Sequence, residues 1–217
     1  MPETSDHLDG EEEARQLQAA RQGDLAAFNW LVLRYQTRVY NLCYRMLSDA
    51  DVAADATQET FLSAYKAIGR FKGHHFHTWL FKIATNACLD ILRSRKRRPV
   101  QSLHPQTVNA DEDAFEPLAV ADTNPFVDPE ARVLKTEVVE AIQRGLDDLP
   151  EDQRIALILV DVQGLSYEEA AAITGANLGT MKSRINRART RMRDFLRRHG
   201  FVPSTGELSV PGERSIE

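Results

Sequence analysis

Only two cysteines occur among 217 residues, and no purely apolar run exceeds the six residues from Ile155 to Val160. The first scarcity excludes a disulfide-stapled scaffold and a thiolate metal centre, since Cys43 and Cys88 have no metal-type spacing. The second excludes a bilayer-spanning helix, which needs about 20 apolar residues. The N-terminus is acidic rather than basic and then apolar, so no signal peptide is expected. Catalytic signatures are missing too. There is no Gly-x-Ser-x-Gly elbow, no Walker-type phosphate loop and no His-Glu-x-x-His pair. These absences predict a soluble cytoplasmic protein that works by binding, with no enzyme activity, no cofactor and no metal.

The balance of charge, 27 Lys+Arg against 32 Asp+Glu, hides a strong segregation. Residues 24–98 carry twelve bases to six acids, and residues 99–132 one base to seven acids. Residues 1–23 hold six acids and two bases. From Lys182 to Arg198 there are eight bases and one acid, Asp194. Local fields of this kind decide what a protein attracts, so a net charge of −5 does not argue against nucleic acid.

Helical periodicity runs almost unbroken to Arg98. Asp24 is placed to cap a helix with Leu25, Phe28, Leu31, Val32, Tyr35, Val39, Leu42, Cys43 and Met46 on its apolar stripe. Ser48 or Asp49 restarts the chain, and Val52, Ala56, Phe61, Ala64, Tyr65 and Ile68 form the next stripe. A third stripe follows Thr78, a candidate cap, with Trp79, Leu80, Ile83, Ala84, Ala87, Cys88, Ile91 and Leu92. Pro99, Pro105, Pro117 and Pro125 then punctuate an acidic stretch with no period. Helical spacing resumes at Val133 and continues through Leu149-Pro150 to His199. The expectation is all-α: a disordered acidic N-terminus (1–14), a helical domain (15–98), a flexible acidic linker (99–130), a second helical domain (131–199) and a disordered tail (200–217).

Two segments carry candidate chemistry. In Leu165–Arg198, Ser166 and Glu169 have capping-box spacing, and Gly175 marks a turn. Met181, Ile185, Ala188, Met192 and Phe195 make one buried stripe. At about 100° per residue, the opposite face carries Lys182, Ser183, Asn186, Arg187 and Thr190, donors and acceptors suited to a major groove. This is a helix-turn-helix pattern. The second segment, residues 69–79, interleaves Phe71, Phe76 and Trp79 with Arg70, Lys72, His74, His75 and His77. Ring faces and cations in this mixture suit an unpaired nucleic-acid strand, although Phe76 and Trp79 equally suit core anchors. Neighbouring histidines point apart and have no carboxylate or thiol to complete a metal set, so they are not read as ligands.

Three spaced motifs in the first half, Gly23-Asp24-x3-Phe28-x2-Leu31-x3-Tyr35, Asp55-x2-Gln58-Glu59-x-Phe61-x3-Tyr65 and Phe71-Lys72-Gly73-x4-Thr78-Trp79-Leu80-x2-Ile83-Ala84-x-Asn86, resemble region 2 of the extracytoplasmic-function group of bacterial sigma-70 factors. Leu149-Pro150-Glu151-x-Gln153-Arg154, Gly164-Leu165-Ser166-Tyr167-Glu168-Glu169-Ala170-Ala171 and Gly179-Thr180-Met181-Lys182-Ser183-Arg184 are similar to their region 4.

The resemblance implies a transcription initiation subunit that binds the largest and second-largest subunits of core RNA polymerase and promoter DNA, without membrane insertion. It assigns Asp55, Gln58 and Glu59 to the polymerase. It assigns Arg70, Phe71, Lys72, His74, His75, Phe76, Asn86, Arg93 and Arg95 to a single-stranded −10 element. Thr180, Lys182, Ser183, Arg184, Asn186, Arg187 and Arg189 are assigned to a double-stranded −35 element, with Arg184 and Arg189 nearer phosphates. Members of the group are commonly sequestered by an anti-sigma factor. The loop at 69–78 is about one residue shorter than the usual form, and Asn186 stands where other residues are common. The residues alone also fit a conventional helix-turn-helix regulator that binds duplex DNA without polymerase.

Overall fold

The computed structural model describes residues 3–73, 75–97 and 129–202, with the side chains of 3–9 and 129–135 outside that description. The described residues form α1 (Glu3–Arg21), α2 (Leu25–Leu47), α3 (Ala50–Ala67), α4 (Phe76–Arg97), α5 (Pro129–Asp147), α6 (Glu151–Leu157), α7 (Tyr167–Thr174) and α8 (Leu178–Arg198), with no strand among them. Asp24 caps α2 as expected, its carboxylate accepting from the amides of Ala26 and Ala27 at 2.8 and 3.1 Å. Ser48 then takes a left-handed conformation (φ 57°) and Asp49 caps α3 through the Val52 amide, so two residues suffice to reverse the chain.

The apolar stripes of these helices meet as the periodicity requires. Leu31, Val39, Leu42 and Cys43 from α2 are fully buried with Ala53 and Ala64 from α3 and Leu80, Phe81, Ala84 and Cys88 from α4. Cys43 and Cys88 remain free thiols in this core. Their mutual hydrogen bond, with burial, pushes the Cys88 thiol up, and both sulfurs are shut away from solvent.

Two boundaries differ from expectation. Helix α1 begins at Glu3, in the stretch expected to be disordered. Its later turns are tied to α2, where the Tyr35 hydroxyl donates to Glu13 at 2.8 Å and Arg34 Nε to the same oxygen at 3.2 Å. Helix α4 begins at Phe76, so Thr78 is not its cap. Phe76 is driven into the core and starts the winding there, with the Trp79 amide bonded to the His75 carbonyl at 3.3 Å. Most of the expected linker, through residue 128, and the tail beyond 202 lie outside the described residues.

In the second half Leu146, Ile158, Leu159, Ala170, Met181, Ile185 and Ala188 are buried. Helix α6 loosens into a π turn at Ile158–Val162 and closes at Gly164, whose φ is 73°. Gly145 lets α5 approach α8: a Cβ there would stand 2.7 Å from Met192 Sδ and 3.0 Å from the Phe195 ring.

The two halves touch, α4 against α7 and α2 against the π turn. Arg38 Nη2 donates to the Gln163 carbonyl at 2.8 Å, and Gln163 Nε2 returns a bond to the Arg38 carbonyl at 3.3 Å. Arg45 donates to Gln143 at 3.0 Å, and Gln143 to Ser48 at 2.9 Å. None of these pairs has a helical spacing to announce it, because their partners lie about a hundred residues apart in sequence.

Candidate nucleic-acid interface

The helix-turn-helix is built as its sequence pattern requires. Ser166 Oγ accepts from the Glu169 amide at 3.2 Å, and Glu169 accepts from the Ser166 amide at 3.0 Å, a complete capping box. Gly175, at φ 68°, ends α7, a backbone state a side chain would strain. Asn177, which the sequence reading passed over, caps α8 through the Thr180 amide at 2.7 Å. Met181, Ile185 and Ala188 are fully buried and fix the rotation of α8. That rotation leaves Lys182, Asn186, Arg187, Thr190 and Arg191 exposed on one side.

The remaining candidates on α8 are engaged internally. Ser183 donates to the Thr180 carbonyl at 2.9 Å. Arg184 Nε reaches Asp152 at 3.1 Å. Arg189 grips Asp161 with two bonds, Nε to Oδ2 at 2.9 Å and Nη2 to Oδ1 at 2.5 Å, and reaches Tyr167 at 3.2 Å. The Asp161 carboxylate pushes the Arg189 guanidinium up, so its charge is permanent. These two arginines hold α8 against α6 and the π turn, which orients the exposed face. The resemblance placed them nearer phosphates; their carboxylate partners Asp152 and Asp161 lie across the fold.

The loop at 69–79 divides differently from the sequence expectation. Arg70, Lys72 and His75 are exposed, while His74 lies outside the described residues. Phe71 and Phe76 are 7% and 1% exposed, so neither offers a ring face to a base. They pack instead with Trp79 (centroids at 4.9 and 5.7 Å) and Phe76 with Tyr35 (5.6 Å). Apolar area won over the stacking role, because burying a phenylalanine stabilises by roughly 1.5–3 kcal/mol. Trp79 remains half-buried.

Along α4, Lys82, Asn86, Asp90 and Arg93 are exposed at i, i+4, i+8 and i+11, one solvent stripe leading away from the loop. Lys82 was missed by the sequence reading, although its spacing from Asn86 could have shown it. Arg93 pairs with Asp90 at 3.0 Å. Arg95 turns back to Asp49 at 3.2 Å and the Leu47 carbonyl at 3.4 Å, bracing the α2–α3 turn.

On α3, Asp55, Gln58 and Glu59 are exposed together, and Glu59 accepts from Ser63 at 3.1 Å. Gln58 also lines an open apolar groove of about 330 Å³ between α2 and α3, with Leu25, Phe28, Val32, Leu62 and Tyr65. Leu25, Leu62 and Tyr65 are 57%, 49% and 44% exposed. The sequence assigned Leu25 and Tyr65 to core stripes; they lie at stripe margins that no third element among the described residues covers.

At the start of α4, His77 and Thr78 face Glu169 of α7, whose Oε1 lies 3.0 Å from His77 Nε2 and accepts from Thr78 Oγ1 at 2.8 Å. Burial raises the Glu169 carboxyl, but the Ser166 amide, the Thr78 and Ser166 hydroxyls and His77 outweigh it and hold it at about 2. Among the described residues no cluster of three His, Cys, Asp or Glu could hold a metal ion, and no helix is long and apolar enough to cross a membrane.

Comparison with known proteins matches residues 31–98 to the family model for sigma-70 region 2 and residues 139–192 to that for sigma-70 region 4. RNA polymerase sigma-H factor of Pseudomonas aeruginosa is 38% identical over 184 residues, 84% of this chain and 92% of that one. The ECF RNA polymerase sigma-E factor of Escherichia coli K12 is 39% identical over 177 residues, 80% of this chain and 88% of that one. The sigma factor RpoE of Bartonella quintana, solved with the anti-sigma factor NepR, superposes with a TM-score of 0.57 at 28% identity, covering 78% of this chain and 96% of that one. CnrH, solved with the cytosolic domain of CnrY, shares the fold (TM-score 0.60, 23% identity, 85% of this chain and 97% of that one).

Proposed function

The chain belongs to the extracytoplasmic-function group of the sigma-70 family, and from that premise we propose that it initiates transcription by directing core RNA polymerase to specific promoters. The observation that carries this reading is the exposed basic face of α8, set by a capped helix-turn-helix, in a chain that also holds a complete region 2. A conventional regulator would need the first but not the second. The relatives are named as polymerase sigma factors, which favours the initiation subunit over that alternative.

Three surfaces divide the work. Lys182, Asn186 and Arg187, with Thr180 and Ser183 at the same end of α8, read the −35 duplex. Arg184 and Arg189 act as positioning residues through Asp152 and Asp161. Arg70, Lys72 and His75, with Lys82, Asn86 and Arg93 along α4, guide the displaced −10 strand. Phe71 and Phe76 support that surface from beneath, and the exposed part of Trp79 is the ring available for stacking. Asp55, Gln58 and Glu59 dock the largest polymerase subunit, and the groove beside Gln58 supplies apolar area to that contact. The domain limits proposed for these roles are residues 15–98 and 131–199. The protein acts by binding alone, in the cytoplasm.

Reconstituted transcription tests the reading. Core polymerase plus this protein should start transcripts at a shared upstream motif, with thymines near the start becoming permanganate-reactive. Duplex binding without polymerase, and no initiation with it across a promoter library, would return the conventional-regulator reading.

A further inference from the structure

Helix α1 lies against both feet of the loop at 69–79. At the α4 foot the link is a chain of three residues. Glu13 of α1 takes the Tyr35 hydroxyl at 2.8 Å, and Arg34 Nε donates to the same oxygen at 3.2 Å. The Tyr35 ring, 4% exposed, meets Phe76 edge-on with centroids 5.6 Å apart. Phe76 in turn touches Phe71 at 6.1 Å and Trp79 at 5.7 Å, the rings that anchor the two ends of the loop. At the other foot α1 packs on the turn Ile68–Arg70, where a Cβ on Gly69 would stand 3.7 Å from the Arg21 carbonyl oxygen.

Burial and the Glu13 carboxylate push the Tyr35 hydroxyl far up, so it keeps its proton and donates. Removing Glu13 takes away the acceptor that holds this buried donor, a loss the ring relieves only by shifting. Close packing leaves no slack, so a shift of Tyr35 moves Phe76 as well. Phe76 opens α4, and its partner Phe71 stands between Arg70 and Lys72, so the displacement reaches the exposed cations of the loop. Glu13 lies outside residues 31–98, the span matched to region 2, whereas Tyr35 and Phe76 lie within it.

We propose that Glu13 is a positioning residue for the −10 loop, acting through Tyr35 on Phe76 and touching no DNA itself. The inference rests on the proposed role of that loop in guiding the displaced strand. Helix α1 is then a brace for promoter opening as well as a part of the fold.

The test uses the full chain carrying Trp30→Phe, which keeps a ring under Arg34 and leaves Trp79 as the reporter of the loop. In that parent, Glu13→Ala should raise acrylamide quenching of Trp79 in the free protein. With core polymerase it should slow promoter opening, followed by permanganate, about tenfold. Competition for −35 duplex and affinity for core polymerase should stay at the parent's level, because α8 and the polar face of α3 are outside the chain of contacts. Glu13→Gln keeps a carbonyl oxygen for the Tyr35 hydroxyl and should restore both readouts. Added to Tyr35→Phe, Glu13→Ala should cost little more, because the donor it would strand is gone.

Losses that Glu13→Gln shares with Glu13→Ala, or that add in full to those of Tyr35→Phe, overturn the proposal. Slowed opening with Trp79 quenching unchanged overturns it too. A fall in Tm with both readouts at the parent's level below the transition would make α1 a stabilising helix and nothing more. Failure of the parent to open any promoter would sink the proposed function instead, and Trp79 quenching across the four variants would then decide the brace.

Discussion

Phe76→Ala discriminates between a ring that holds a base and a ring that holds the fold. Phe76 is 1% exposed, and its centroid lies 5.6 Å from Tyr35, 6.1 Å from Phe71 and 5.7 Å from Trp79. Truncating such a residue costs about 3–5 kcal/mol, the lost transfer energy plus the cavity left behind. For a chain of this length each kcal/mol lowers Tm by roughly 2–4 °C, so the expected drop is about 6–20 °C. Phe76→Leu keeps much of the volume and should cost only about 1–2 kcal/mol. Urea unfolding of both variants, followed by the fluorescence of Trp30 and Trp79, measures the losses. Permanganate reactivity of promoter complexes below the unfolding transition measures the function. On the reasoning here the Leu variant opens promoters nearly as well as wild type. A Phe76→Ala variant that loses under about 1 kcal/mol of stability yet opens promoters more than tenfold more slowly would refute the burial argument and return the ring to the DNA.

Arg187→Ala should weaken −35 binding by about 1–3 kcal/mol in a selective manner, measured by competition between wild-type and altered promoters; an equal loss on every sequence would make it a phosphate contact. Leu62→Glu places a charge in the groove beside Gln58 and should reduce affinity for core polymerase in fluorescence titrations while leaving Tm nearly unchanged, because Leu62 is already half exposed. Gly145→Ala should destabilise by about 1–3 kcal/mol through Met192 and Phe195; Met192→Ala should restore part of that loss in a double-mutant cycle, and strict additivity would deny the close approach. Glu169 sits at about 2 in the fold against about 4.3 in an unfolded chain, so the unfolded state takes up the proton first. Its contribution is whole above pH about 4.3 and drains as pH falls towards 2, a slope in acid unfolding that Glu169→Gln should flatten.

Local rules accounted for the elements. Asp24 and Ser166 cap where side-chain chemistry says they should, and Gly175 turns where only a left-handed residue fits. The stripe Met181, Ile185 and Ala188 is buried as its spacing demands. The exposed face of α8 was therefore legible, since the buried stripe fixes what remains outside. Legibility failed where a residue had two physically reasonable uses. Phe76 and Phe71 suit a stacking surface and a core equally well by type; Arg184 and Arg189 suit phosphates and aspartates equally well. The choice was made by neighbours distant in sequence: Tyr35 for one, Asp152 and Asp161 for the others. The acidic start, with no apolar stripe of its own, read as unstructured because its partners Arg34 and Tyr35 belong to the next helix.

By itself the sequence determined that this protein is all-α, where most helices begin and end, that its last helix carries a basic face, and which family it joins. Caps, turns and 3.6-residue periodicity act within a few residues, so one strand of text contains them. Only the tertiary structure decided which aromatics went inside and which arginines became struts. It also decided that the two halves lie against each other through Glu169, Gln143 and Gln163. Those outcomes depend on side chains 28 to 125 residues apart in sequence, and no local pattern records which of them meet.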